Sequence, residues 1–235
     1  MDNDLRICED GSHTLFSALV GECYHSMHGA YTESMHIFIN AGFRYILEIQ
    51  SNLRSNLKTE TIPQVRILEV GLGTGLNALL TILETEKENT PVSYLALEPF
   101  PIHSDIIQQL NYSAYISGNS TQFFEAIHSC DWNQIHQLFP NFSFRKMLTG
   151  FLEAKLISGS FDLIYFDAFS PEAQPDLWEP EVFVKCFELL DKDGILVTYC
   201  AKGRVKRALK AAGFTVENLP GPPRKREITR AHKLF

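Results

Sequence analysis

Three stretches hold residues whose types and spacing could do chemistry. The first is EVGLGTG, Glu69 to Gly75, in which Gly71, Gly73 and Gly75 alternate with apolar or small residues. Glycine tolerates positive φ and lets a ligand approach the backbone closely. The second is Glu98, which ends the apolar run VSYLALE (92–98). The third is FDLIYFDAFSPEAQPDLW (161–178), where Asp167 closes a buried apolar run and a Pro-rich turn follows.

A glycine turn between a strand and a helix fits several nucleotide-like cofactors. Dinucleotide binders aim a helix N-terminus at a pyrophosphate. Here an acid, Glu69, precedes a GxGxG spacing, and acids suit a ligand that is cationic and lacks phosphate. S-adenosyl-L-methionine (SAM) carries a sulfonium and an amine, so it fits better than NAD. Asn77 sits two residues into the following helix. A carboxylate at Glu98 can accept hydrogen bonds from both ribose hydroxyls. The adenine end is left open: Thr149 and Gly150 stand near the third strand, with no clear acid.

Methyl transfer from a sulfonium needs a neutral nucleophile held in line. An amine acceptor must first lose its proton. Asp167 is expected to orient such an amine and relay its proton; at a reference pKa of about 3.9 it is a poor base for an alkylamine. Phe169 and Trp178 either offer flat surfaces for a base or simply pack the loop down.

Those residues must be positioned by alternating elements. The pattern predicts strands at 65–70, 92–98, near 144–148, at 161–168 and at 194–200. Helices are expected at 76–87, 102–110, about 179–190 and 203–213. Segments 214–219 and 227–235 read as a terminal antiparallel hairpin. This alternation implies an α/β fold, a doubly wound, mostly parallel sheet, with its ligand beyond the carboxyl ends of the strands. Residues 1–60 show no such alternation and read as an N-terminal extension, largely helical over 33–53 with Gly42 as a break. Residues 61–235 form the second unit.

Composition bounds the rest. The chain has 235 residues and 45% hydrophobic content, enough for one substantial core. No apolar run approaches the roughly 20 residues that span a bilayer, and the acidic start is no signal peptide. A cytoplasmic protein with no membrane contact is expected. Cys8, Cys23, Cys130, Cys186 and Cys200 are dispersed and read as free thiols. His25 and His28 form HxxH with Glu33 nearby, but no further ligand at useful spacing appears, so no metal is expected.

The net charge is −7, yet residues 202–235 carry +8, leaving −15 on residues 1–201. Such asymmetry points either to a polyanion-binding face or to a solvated basic helix and strand. Lys202, Arg204, Arg207, Arg224, Lys225 and Arg226 are the candidate contacts.

These residues resemble the methyltransferase domain of the MnmC-type tRNA wobble-uridine modification enzymes. The matching pieces are EVGLGTGLN (69–77), LALEPFP (95–101), DAFSPEAQPDLW (167–178), DGILVTYCAKGRVKRALKAAGF (193–214), GPPRKRE (221–227) and the N-terminal segment 10–34. The resemblance implies a Rossmann-like SAM-dependent fold and methylation of the 5-aminomethyl group of (2-thio)uridine in tRNA. It implies Asp167 as the catalytic aspartate, Glu98 as the ribose-binding acid, and Tyr24 and Ser26 in a segment closing over the cofactor. Glu33 falls in the acid position that follows. No second glycine fingerprint for FAD is present, so the chain resembles a stand-alone form with no FAD and no obligate protein partner.

Two rival classes share these features. A spermidine-synthase-like aminopropyltransferase, or another small-molecule amine methyltransferase, would use the same loop and the same Asp. A non-catalytic RNA-binding protein would keep the fold but not Glu98 and Asp167.

Overall fold

The computed structural model describes residues 3–57 and 62–234. The expected boundary between residues 60 and 61 lies outside the described residues.

The N-terminal segment is not the strandless extension that its pattern implied. Strands β1 (Asn3–Ile7), β2 (His13–Ser17) and β3 (Glu22–Cys23) form a small antiparallel meander. β3 has two residues, too few for any period to show. Helix α1 (Ala30–Ser34), a wide-turn π-helical segment (Met35–Arg44) and α2 (Tyr45–Leu57) follow as one helical run. Gly42 does not break it. It is the point of closest approach to the sheet: a Cβ there would lie 3.1 Å from both Tyr165 and Val197.

The central sheet is built from β4 (Val65–Val70), β5 (Val92–Leu97), β6 (Ile135–Phe139), β7 (Phe142–Met147), β8 (Phe161–Phe166), β9 (Leu190–Thr198), β10 (Thr215–Pro220) and β11 (Glu227–His232). Its order is β10-β11-β9-β8-β4-β5-β7-β6. The five central strands run parallel. β11 returns antiparallel on β9 and pairs with β10, the hairpin expected from sequence. β6 adds an antiparallel edge on β7. The Rossmann-like α/β fold is borne out.

Helices cover both faces. On one side lie the π-helical segment, α3 (Leu76–Glu88) and, beyond the short α4 (Ser104–Ile107) and α5 (Tyr112–Tyr115), α6 (Ser120–Ser129). On the other lie α7 (Pro180–Leu189) and α8 (Gly203–Ala211). α3 is buried from Leu76 to Thr85, so its polar residues need partners inside. Arg44 Nη2 meets Glu84 at 2.6 Å, and the Thr81 hydroxyl donates to the Asn77 carbonyl at 2.7 Å. Buried Lys146 donates to the carbonyls of Ile127 and His128 at 2.9 and 2.7 Å, satisfying the end of α6. The order of the strands reverses between β4 and β8, so the carboxyl ends of β4, β5, β7 and β8 open onto one crevice.

Candidate active site

That crevice is a cavity of about 1110 Å³. It is lined by the loops after β4, β5, β7 and β8 and roofed by residues 16–27 of the N-terminal segment. Its walls are rich in acids: Glu22, Glu33, Glu98, Glu153, Asp167 and Asp176, against one ammonium, Lys225.

The glycine loop forms the floor. Gly71, Gly73 and Gly75 all have positive φ, 91°, 51° and 76°. A Cβ on Gly71 would lie 2.9 Å from the Asp167 carbonyl oxygen, and one on Gly73 would lie 3.0 Å from the Tyr24 ring. Any side chain there would fill the cradle or force the backbones apart. Leu97 O accepts from the N–H groups of Gly71 and Leu72 at 3.0 and 3.2 Å, tying the loop to the end of β5.

Glu98 is buried at that end. Its carboxylate accepts the Gly73 N–H at 2.9 Å and the Phe100 N–H at 2.8 Å. Each oxygen keeps a further lone-pair site for a ribose hydroxyl. Burial raises its pKa, against the pull of those two N–H groups.

Asp167 stands just past the end of β8, its N–H bonded to Val70 O at 3.1 Å. Asn77 Nδ2 donates to Asp167 Oδ2 at 2.8 Å and to Glu69 Oε1 at 3.0 Å. Burial pushes the Asp167 pKa up to about 7, with Glu33 adding to the rise and Asn77 and Lys225 opposing it. Enclosure thus lifts it above the ordinary aspartate range expected from sequence. Glu69 is fully buried behind the loop, and burial, then the Asp167 charge, raises its pKa well above the ordinary range.

Glu33 and Lys225 meet across the cavity at 2.8 Å. The Lys225 ammonium lies 4.5 Å from the centre of the Tyr199 ring, whose hydroxyl donates to Ala168 O at 3.0 Å. Expected as a phosphate contact, Lys225 instead faces into the cavity. Tyr199 was missed from sequence, because an aromatic at the end of an apolar strand looks like core.

Tyr24 packs against Phe169, ring centres 4.9 Å apart, directly above the glycine loop. Ser26 lies at the rim, its N–H donating to Glu33 Oε2 at 2.8 Å and its hydroxyl accepting the His28 N–H at 3.2 Å. Phe169 lines the cavity. Trp178 does not: it is 5% exposed, packed on Phe166 and Tyr199, and its Nε1–H donates to Phe169 O at 2.8 Å. Trp178 holds the loop and offers no face to a base. Ser170 was also missed. Its N–H and hydroxyl donate to Glu22 at 3.1 and 2.5 Å, tying β3 to the loop after Asp167. Thr149 and Gly150 line the far end of the cavity, where no acid was found in sequence.

The basic tail divides in two. Lys202 and Arg204 pair with Glu172, and Arg224 pairs with Glu9. Arg207 and Arg226 are exposed and have no carboxylate partner among the described residues. His25 and His28 are engaged separately, His25 Nδ1 with the Thr14 hydroxyl and His28 Nδ1 with Glu9, each at 3.1 Å. Among the described residues no three His, Cys, Asp or Glu side chains gather as a metal site. Nor is any helix there long and apolar enough to cross a membrane.

Residues 122–234 match the model of a family described as S-adenosyl-L-methionine-dependent methyltransferase. A "tRNA 5-methylaminomethyl-2-thiouridine biosynthesis bifunctional protein MnmC" from Methylobacillus flagellatus is 25% identical over 228 residues, 91% of this chain and 33% of that protein. The protein of the same name from Pseudoalteromonas atlantica is 29% identical over 71% of this chain and 26% of its own length. The chain thus spans about a third or less of these relatives. A crystal structure of MNMC2 from Aquifex aeolicus superposes with a TM-score of 0.77 at 24% identity, covering 98% of this chain and 70% of that one. The resemblance to the methyltransferase domain of MnmC-type enzymes is borne out.

Proposed function

We propose that this chain is an S-adenosyl-L-methionine-dependent methyltransferase that methylates the 5-aminomethyl group of wobble (2-thio)uridine in tRNA, giving 5-methylaminomethyl-(2-thio)uridine. The observation that carries the reading is Asp167, raised towards neutrality at the meeting of the glycine loop and an acid-lined cavity.

The residues fit SAM. Gly71 and Gly73 leave a cradle that a Cβ would fill, and the buried Asn77 Oδ1 on the cavity wall has no hydrogen-bond partner. An ammonium donor would satisfy that oxygen. Gly71, Gly73, Asn77 and Glu98 would hold the cofactor, with Tyr24 above it and Glu69 fixing Asn77 from behind. SAM would supply a methyl group on a cationic sulfonium.

The chain's own work is to present a neutral amine. Asp167 accepts a hydrogen bond or a proton from the aminomethyl group and fixes its direction. Lys225, a fixed cation close by, disfavours the ammonium form of that amine. Phe169 offers the cavity an apolar face on which a uracil can rest, backed by Tyr24. Arg207 and Arg226, both exposed, suit an RNA backbone. The relatives' printed name, with its tRNA 5-methylaminomethyl-2-thiouridine product, supports this substrate.

The test is direct. Purified protein with SAM and tRNA bearing 5-aminomethyl-2-thiouridine should convert that nucleoside to its methylamino form, read by nucleoside mass spectrometry. An unchanged nucleoside, with SAM bound, would reject the substrate.

One observation favours a second reading. Six acids around the cavity suit a polyamine as well as a sulfonium and an amine. Aminopropyl transfer to putrescine from decarboxylated SAM would establish it in place of the first.

A further inference from the structure

Three cations of the basic tail, Lys202, Arg204 and Arg224, are already occupied by carboxylates from other parts of the chain. Glu172 lies five residues beyond Asp167, on the loop that closes the cavity. Its carboxylate takes Lys202 through one oxygen and Arg204 through the other, the latter at 3.3 Å. Glu9 lies in the turn after β1 and takes Arg224 at 2.7 Å and His28 at 3.1 Å. All of these side chains are about half exposed.

Exposed ion pairs of this kind are weak, because water screens them and two long side chains must be held. They are also exchangeable. A phosphodiester presents the same features as Glu172: two anionic oxygens able to take a lysine and an arginine together. Both clamping acids belong to elements that enclose the cavity. Glu172 shares its loop with Ser170, which β3 holds through Glu22. Glu9 accompanies the meander and donates its N–H to Met27 O at 2.9 Å, at the cavity rim.

We propose that Glu172 and Glu9 are internal stand-ins for RNA phosphates. A nucleic-acid backbone docking on the C-terminal region replaces them on Lys202, Arg204 and Arg224. The same exchange frees the loop 168–175 and the meander from the basic tail, so docking loosens the two elements that cover the cavity. Lys202, Arg204 and Arg224 are then phosphate contacts only after exchange, whereas Arg207 and Arg226 are available from the start. This rests on the tRNA reading above and adds which charges the RNA must compete with.

The test compares Glu172→Gln and Glu9→Gln with wild type and with Glu88→Gln, an exposed acid at the far end of α3. Each clamp variant should bind tRNA about two- to five-fold tighter at fixed salt, the range an exposed pair accounts for. The slope of log affinity on log salt should stay as in wild type, since the phosphate contacts are the same in number. Glu88→Gln should reproduce only the small gain due to net charge. Equal affinities for the clamp variants and Glu88→Gln would overturn the proposal, even with methyl transfer intact. Tighter binding by the clamp variants without methyl transfer by wild type would uphold the exchange while removing the proposed reaction.

Discussion

Asn77 Nδ2 stands between two carboxyls, 2.8 Å from Asp167 Oδ2 and 3.0 Å from Glu69 Oε1. Burial raises the pKa of both acids, and each charge would disfavour the other. One amide therefore fixes the direction of Asp167 and separates it from a buried neighbour. Asn77→Leu keeps the volume and removes the donor. A hydrogen bond to a charged group contributes about 1.5–3 kcal/mol, so kcat/KM should fall roughly ten- to a hundred-fold. Calorimetry with SAM and single-turnover methyl transfer would separate binding from chemistry. Unchanged values would show that the amide positions nothing.

The raised Asp167 also makes stability depend on pH. Its folded pKa, about 7, lies above the unfolded reference of about 3.9. The folded state therefore favours the protonated form. The associated stability is full below about pH 4 and is lost as pH rises through about 7. In ligand-free protein, Asp167→Asn should flatten this part of the melting-temperature profile and melt higher than wild type at pH 8. A variant whose profile parallels wild type across that window would place the titration elsewhere.

The parts of the site read from sequence are those in which local chemistry demands a residue type. Gly71 and Gly73 are needed by positive φ and close approach, and Glu98 and Asp167 mark strand ends at the switch point. Partnerships across the chain were not legible. Glu22 meets Ser170 over 148 residues and Glu33 meets Lys225 over 192, separations that no local pattern encodes. The meander was missed for a related reason: β1 is mostly exposed and gains its order from pairing with β2. Gly42 looked like a helix break, because propensity cannot show that a sheet lies 3.1 Å away. Trp178 looked like a stacking surface, because an aromatic in a Pro-rich loop gives no sign of which way it faces.

Phe169 and Trp178 share that loop but should respond oppositely. Trp178 is buried among Phe166, Phe183 and Tyr199. Trp178→Ala should cost about 3–5 kcal/mol of stability, as large aromatic truncations in a core do. Phe169 is partly exposed to the cavity, so Phe169→Ala should leave the melting temperature within a few degrees and raise the tRNA KM several-fold. Urea unfolding and steady-state kinetics on the two variants test the contrast; equal destabilisation would make Phe169 a packing residue as well.

Glu33 and Lys225 set opposing fields on the same carboxyl. Glu33 raises the Asp167 pKa and Lys225 lowers it, and the two meet in a 2.8 Å ion pair. Removing either charge should unbalance the site in a direction fixed by its sign. Lys225→Met leaves Glu33 uncompensated, so Asp167 should hold its proton to higher pH and the acid limb of the rate profile should move up. Glu33→Gln leaves Lys225 alone, and that limb should move down. The shift should be about one pH unit or less in either case, because both partners reach solvent and are screened. Folding defects would lower the rate at every pH without moving the limb. Limbs displaced in the same direction by both substitutions would mean that the pair acts through the shape of the cavity and not through its charge.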